Sequence, residues 1–540
     1  MTTRDGVRLD ADLYRPDAAG EFPVLLMRQP YGRRIASTVV FAHPRWYAAQ
    51  GYLVVIQDVR GRGSSEGRFR LFADDVADGG ESVSWAARLP GSSGRVGMYG
   101  FSYQANTQLL ALASGAPELA ALCPTMTGWD MHSDWAYEGG AFCFAGGLGW
   151  GIQMAAEQAR LAGDEEAFQA LFAASRALPV HAARPAWPPV MEKYGHYGHY
   201  PDWIENPAPG DYWDGIAPRA ALEGKAMDVP MLHIGGWYDS FLMGTLNCYR
   251  AARARSSAPQ KLVIGPWTHL PWGRRVGGVD FGPEAVAAID RLQLAWFDRF
   301  LKGVENGIED ESPVRLFDLA ARTWRTFEDW PQPRPLALFT DSDGLAATTQ
   351  SGVLAADRPA EMAEDSFVHD PWRPVPFLGG HNAQPGGMQE RGAVDDRSDV
   401  LCFTTAPLDR DMCLAGEVSL TLSVSADCPS FDISAILSQV TPEGKVYNLT
   451  QGYRRVDGVP VGPVTLSLRA LCATLPAGHA LRLSIAAANF PAFAVNPGTG
   501  QAFAEARSID NQVVTLTVTH GGTAPSRLDL PLCPSATGFR

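Results

Sequence analysis

RVGMYGFSYQANTQLLALA, residues 95–113, changes its periodicity half-way. Val96 to Tyr99 form a short, apolar, β-prone run, the pattern of a strand covered on both faces. From Gln104 onward, Leu109, Leu110, Leu112 and Ala113 recur at helical spacing. A strand that becomes a helix within so few residues must turn sharply, and Ser102 stands at the turn. Gly100 lies two residues before it and the small Ala105 three after. Only small neighbours let a chain fold back so tightly. Gly-x-Ser also occurs in ordinary turns, so its meaning depends on the rest of the chain.

Working outward, the flanking segments alternate strand and helix. PVLLM (23–27) and YLVVI (52–56) are continuous apolar runs, as parallel strands between two helical layers require. Residues 7–14 read as an edge or hairpin strand, 41–50 and 73–88 as helices, and 121–124 as a further strand. This is a doubly wound layout, and the strand–Ser102–helix turn is the elbow on which an α/β-hydrolase presents its nucleophile. Residues 127–225 turn rich in Trp, Gly, Ala and Pro, with helical segments and no evident strand, as in an inserted helical cap. Strands resume at VPMLHI (229–234) and at 262–264. A last helix carries Ile289, Leu292, Trp296 and Phe300 on one face and stops at Gly303. Beyond residue 310, SLTLSVSA (419–426), FDISAIL (431–437), VTLSLRA (464–470), LRLSIAAA (481–488) and VVTLTVT (513–519) alternate with a period of two. They predict a sandwich, most simply a jelly roll. The expected division is 1–126 with 226–309 for the hydrolase domain, 127–225 for the cap and 310–540 for the jelly roll. Residues 341–398, rich in Gly, Pro and Asp, predict long loops, with His369 and Asp370 on the surface.

Composition narrows the partners. The chain has 540 residues, 46% hydrophobic and 19% charged, with a formal net charge of −14. An acidic surface argues against nucleic acid or an anionic membrane as partner. No apolar run is long enough to span a bilayer, and the start, MTTRDGVRLDADLYRP, has no signal-peptide character. The eight cysteines are scattered without a C-x-x-C pair, which argues against zinc and for free thiols in a reducing cytoplasm. Neither a metal nor a cofactor is expected. RGRGSSEG (60–67) lacks the Lys-Ser/Thr of a phosphate-binding loop and reads as a Gly-rich turn. YGHYGHY (194–200) lacks a carboxylate or Cys to complete a metal site and reads as a polar loop of the cap.

A serine hydroxyl needs an imidazole to take its proton and a carboxylate to hold that imidazole in one tautomer. His269 ends LVIGPWTH and Asp239 ends MLHIGGWYD, each a strand running into a loop. Open α/β sheets place their sites at such strand ends. The order Ser102, Asp239, His269 is that of the hydrolase fold. The backbone N–H of Tyr103, next after the nucleophile, is placed to bind an oxyanion.

Beyond single motifs, the sequence is similar to the CocE/NonD hydrolases, the family of the cocaine esterases, related to α-amino acid ester hydrolases and prolyl dipeptidyl peptidases. The matching segments are RDGVRLDADLYRP (4–16), RQPYG (28–32), QDVRGRGSSEG (57–67), GFSYQA (100–105), GGWYDSF (235–241), IGPWTH (264–269) and NFPAFAVNPGTG (489–500). The resemblance implies the three domains above, an esterase or amidase activity, and the triad Ser102, Asp239 and His269. It also implies that Tyr31, in RQPYG, supplies a hydroxyl to the oxyanion. Ala105 stands where such relatives usually carry Gly. The α-amino ester hydrolases place two carboxylates shortly after the triad acid, where this chain has Phe241 and Leu242. That departure predicts neutral, bulky substrates.

Trp129, Trp135, Phe142, Phe144 and Trp150 crowd the start of the cap, and with Phe241 and Leu242 they are the candidates for lining the substrate pocket. The expected partners are a small-molecule ester or amide and water. The exposed edges of a jelly roll could also pair two copies of the chain. Ester hydrolysis, amide hydrolysis and acyl transfer use the same machinery, and the sequence leaves them open. A hydrolase scaffold used only for binding is a further alternative, against which the complete triad in order argues.

Overall fold

The structure is a computed structural model that describes residues 1–34, 38–270, 272–460 and 462–533. Its N-terminal half is built on a nine-stranded sheet. In chain order the strands are β1 (Ala11–Tyr14), β2 (Phe22–Gln29), β3 (Leu53–Asp58), β4 (Ser92–Phe101), β5 (Leu119–Thr125), β6 (Met231–Tyr238), β7 (Gln260–Thr268), β8 (Val314–Asp318) and β9 (Thr323–Phe327). Across the sheet they run β1-β3-β2-β4-β5-β6-β7-β8-β9. Strands β3 to β8 are parallel along that path, and β1 and β9 close the two edges antiparallel. Successive side chains enter opposite layers, as the pleat dictates. Leu25, Met27, Val54 and Ile56 join one core, and Val24, Leu26, Leu53 and Val55 the other. This double burial is why these strands read as unbroken apolar runs.

The sheet runs past residue 309, the boundary expected from the sequence. Val314–Leu316 pair in parallel with Leu262–Ile264, and β9 hairpins back onto β8. Alternation alone cannot say which sheet a strand joins.

Between Thr125 and Met231 the chain forms the helical insert, led by Phe144–Ala162 and Glu165–Arg176. A hairpin of two two-residue strands, Tyr137–Glu138 and Ala141–Phe142, is too short to be read as strand from sequence. The YGHYGHY segment is not a polar loop: Tyr200 is wholly buried, and His199 Nε2 accepts a hydrogen bond from the Leu71 amide at 3.2 Å. Burial lowers the His199 pKa to about 4, so the ring is neutral.

The C-terminal part is a largely antiparallel β-sandwich. Its longest pairings join Met412–Ala426 to Val464–Leu475 and Ser430–Val440 to Val446–Asp457. The expected loops of 341–398 hold two strands, Gly352–Ala355 and Ala363–His369. His369 is therefore buried in a strand, 3% exposed, and not on the surface. The NFPAFAVNPGTG segment serves the insert. Carbonyls of Ala492 and Pro491 accept from the amides of Phe144 and Ala145, which are free donors at a helix start.

Candidate active site

The elbow forms as the sequence requires. Strand β4 ends at Phe101 and a helix spans Tyr103–Ala113, with Ser102 between them at φ 59°, ψ −125°. A non-glycine residue held there costs about 1–3 kcal/mol, so its surroundings must over-determine it. The Ser102 amide donates to the Thr125 carbonyl at 2.9 Å, and the Ser102 carbonyl accepts from the amides of Ala105 and Asn106. Gly100 is obligatory: its φ is +143°, and a Cβ there would lie 2.4 Å from the Gln104 Cβ. Beneath the elbow, Tyr103 donates its hydroxyl to Asp75 at 3.0 Å, and Asp75 pairs with the wholly buried Arg28 at 2.7 Å. The sequence signal for this support is an arginine directly after the apolar run of β2.

His269 follows β7 and Asp239 follows β6, so both reach the same edge of the sheet as Ser102. His269 Nε2 stands 3.0 Å from Ser102 Oγ, and His269 Nδ1 stands 2.7 Å from Asp239 Oδ1. Asp239 is wholly buried, whereas about a third of the His269 side chain is exposed. The imidazole packs against Phe101 at 5.5 Å and Phe241 at 5.4 Å between ring centres, which limits its rotation. Asp239 does not cap a helix; the following helix begins at Leu242. This chain of carboxylate, imidazole and hydroxyl can activate an oxygen nucleophile.

Tyr31 faces the same cavity. Its hydroxyl accepts from Trp150 Nε1 at 3.2 Å, which leaves its own hydrogen to donate elsewhere. Burial pushes the Tyr31 phenol up to about 12, so the proton stays on at neutral pH. Tyr103 opens its helix, and its amide has no acceptor within that helix.

Over 98% of its length the chain is 32% identical to the cocaine esterase of Rhodococcus sp. (strain MB1 Bresler), and the match covers 97% of that protein. The chain belongs to the CocE/NonD hydrolase family. Residues 5–271 match the X-Pro dipeptidyl-peptidase (S15) family, and residues 306–529 match the X-Pro dipeptidyl-peptidase C-terminal non-catalytic domain. The fold is shared with an aminopeptidase from the marine sediment archaeon Thaumarchaeota archaeon, with a TM-score of 0.82 and 22% identity over 99% of this chain and 95% of that one. It is also shared with an α-amino acid ester hydrolase, with a TM-score of 0.78 and 22% identity over 98% of this chain and 95% of that one.

In this CocE/NonD hydrolase, Ser102, His269 and Tyr31 open into a cavity of about 760 Å³. Trp135, Trp150 and Phe241, three of the seven candidates, line it. Trp150 stacks on Trp203 at 5.4 Å and meets Trp135 edge-on at 5.2 Å. Four other candidates do not line it. Trp129 is buried in the opposite core beneath the Arg255 guanidinium. Phe142 and Phe144 turn into the packing around Phe503. Leu242 is wholly buried at the start of its helix. A helical or hairpin segment sends only some of its aromatics to a given face, and its sequence does not say which.

Sequence reasoning missed two groups of lining residues. Phe72, Phe101, Met131, Leu178 and Val180 widen the apolar wall. His381, Asn382 and Gln384, from the Gly/Pro-rich stretch of the C-terminal part, supply polar groups to it. A Gly-Gly-His-Asn sequence in a region read as loop was the available signal. His381 Nε2 lies 2.7 Å from Glu138 Oε2.

Proposed function

We propose that this chain is a serine carboxylesterase that cleaves esters of bulky, largely neutral acyl groups through an acyl-enzyme. The reading rests on the continuous contact from Asp239 through His269 to Ser102, at 2.7 and 3.0 Å, at the mouth of an apolar cavity. Ser102 Oγ attacks the ester carbonyl while His269 Nε2 takes its proton. Asp239 holds the Nδ1 proton and stabilises the imidazolium. The Tyr31 hydroxyl and the Tyr103 amide donate to the oxyanion. His269 then returns the proton to the departing alcohol, and a water activated by the same imidazole releases the acid.

The neutral-acyl preference rests on the lining. Among the described residues, no Asp or Glu lines the cavity, while Trp135, Trp150, Phe241 and Met131 do. A substrate ammonium buried there would have no carboxylate partner, and a charge left so is costly. The same argument weighs against dipeptidyl-peptidase action, which must hold a free N-terminus. The curated relative at 32% identity is an esterase.

Labelling with a fluorophosphonate, followed by peptide mapping, tests the nucleophile; a folded protein that takes no label at Ser102 removes this reading. A panel of aryl, alkyl and α-amino esters with matching anilides tests the class. Aryl and bulky alkyl esters should turn over fastest, and activity confined to α-amino esters or anilides would contradict the cavity argument. Tyr31→Phe should lower kcat by about 10²–10³ with little change in KM, the usual effect of losing one oxyanion donor. Trp135→Ala should raise KM for benzoyl esters about tenfold relative to acetyl esters of the same alcohol, because it removes wall area that only the large acyl group covers.

A further inference from the structure

We propose that Arg469 is a positioning residue for Asp239, and that through it the C-terminal sandwich is a working part of the active site. The proposal rests on the triad reading given above. Arg469 lies in strand Val464–Leu475 of the sandwich and is 5% exposed. Its Nη2 donates to the carbonyl of Ser240 at 3.1 Å, the residue directly after the acid. On the other side of the acid, the Tyr238 hydroxyl donates to the Asn448 carbonyl at 2.9 Å, in strand Val446–Asp457. The sandwich thus grips the turn that carries Asp239 at the residue before it and the residue after it.

Charge gives the grip a purpose. Asp239 is wholly buried, and its Oδ2 has no hydrogen-bond partner among the described residues. An ionised carboxylate in that state needs a nearby cation besides the imidazole. Arg469 is that cation. Its charge acts most on Glu138, next on Asp239 and less on Asp134, and its Nε and Nη1 have no hydrogen-bond partner among the described residues. Glu138, whose Oε1 is also buried without a hydrogen-bond partner, takes part of that charge, but Glu138 does not account for a guanidinium held against the Ser240 carbonyl. It is explained if its charge and its bond to Ser240 set the place of the acid. Arg469 also borders a cavity of about 260 Å³ between the insert and the sandwich, lined in part by Asp134 and Glu138, which adjoins the larger cavity and shares Trp135, Cys143, Ser240 and Asn382 with it.

The test compares Arg469→Met, Arg469→Gln and Arg469→Lys in the full chain. Gln keeps an N–H donor for Ser240 without charge, and Lys keeps the charge. The readouts are the rate constant for phosphonylation of Ser102 by a fluorophosphonate, and kcat and KM on an ester the wild type accepts. Circular dichroism and thermal melting establish the folded fraction. Misplacing a catalytic group by a fraction of its length costs up to about 100-fold, so Arg469→Met should lose about 10- to 100-fold in both rates with KM little changed. Arg469→Lys should recover part of that loss. Guanidinium at tens of millimolar should accelerate Arg469→Met and not the wild type, because the adjoining cavity gives the ion room. A purely structural role would lower the melting temperature and leave the rates of the folded fraction alone. Arg469→Met, once folded, reacting at the wild-type rate overturns the proposal. Should Arg469→Met not fold, wild-type rates in both the Gln and Lys variants overturn it equally. A wild-type chain that takes no label overturns the triad reading and this proposal with it, whereas a labelled wild type with equally fast variants overturns this proposal only.

Discussion

Ser102→Ala is expected to lower kcat by about 10⁶-fold, the loss seen when a triad nucleophile is removed. The elbow backbone should survive, because its hydrogen bonds run through the Ser102 amide and carbonyl and not through the hydroxyl. Alanine at φ 59° is as strained as serine there, so the melting temperature should move by no more than a few degrees. Fluorophosphonate labelling should vanish, while an unreactive amide analogue of the substrate should bind as before. Binding retained with chemistry lost would distinguish a nucleophile from a packing residue. A variant that keeps more than a thousandth of the wild-type kcat, measured on protein free of wild-type contamination, would mean that another group attacks the ester.

Asp239→Asn should cost about 10⁴-fold in kcat, although it changes the side-chain volume hardly at all. The carboxylate accepts the His269 Nδ1 proton at 2.7 Å, which leaves the Nε2 lone pair for Ser102. An amide at that site can turn its NH₂ toward Nδ1. The ring proton is then driven to Nε2, where it faces the serine hydroxyl and cannot accept from it. KM should change little, because Asp239 lies behind the imidazole and does not line the substrate cavity. Initial rates and thermal melts on the purified variant decide the matter. A loss smaller than an order of magnitude would mean that the Phe101 and Phe241 rings alone hold the imidazole in place.

Much of the site was legible because its parts sit where strands end. β4, β6 and β7 each carry a short apolar run, and the residue after each strand must leave the sheet on the same edge if the strands are parallel. Parallel pairing was itself readable, since only strands buried on both faces are apolar throughout. Three residues separated by 137 and 30 positions could therefore be placed together without coordinates. Tyr31, two residues beyond β2, came from family resemblance alone. The aromatic wall was legible only in part. Trp135 and Trp150 line the cavity, but Phe142 and Phe144, from the same stretch, turn away from it. Aromatic side chains serve packing and pocket equally well, and the insert has no repeating pattern to mark which face is which.

Residue pattern and family resemblance together foresaw the doubly wound hydrolase sheet, the elbow, the order Ser102, Asp239, His269 along the chain and the all-β character of the second half. These are local matters: a periodicity over ten residues, a glycine that φ requires, a strand that must end. Tertiary structure decided that β8 and β9 complete the first sheet, that His381 and Asn382 reach the cavity beside Ser102, and that Arg469 touches the carbonyl next to Asp239. Each of these joins segments far apart in the chain through contacts that no local pattern encodes. Their energies come from burial and charge shared between domains, and those quantities exist only once the domains have packed.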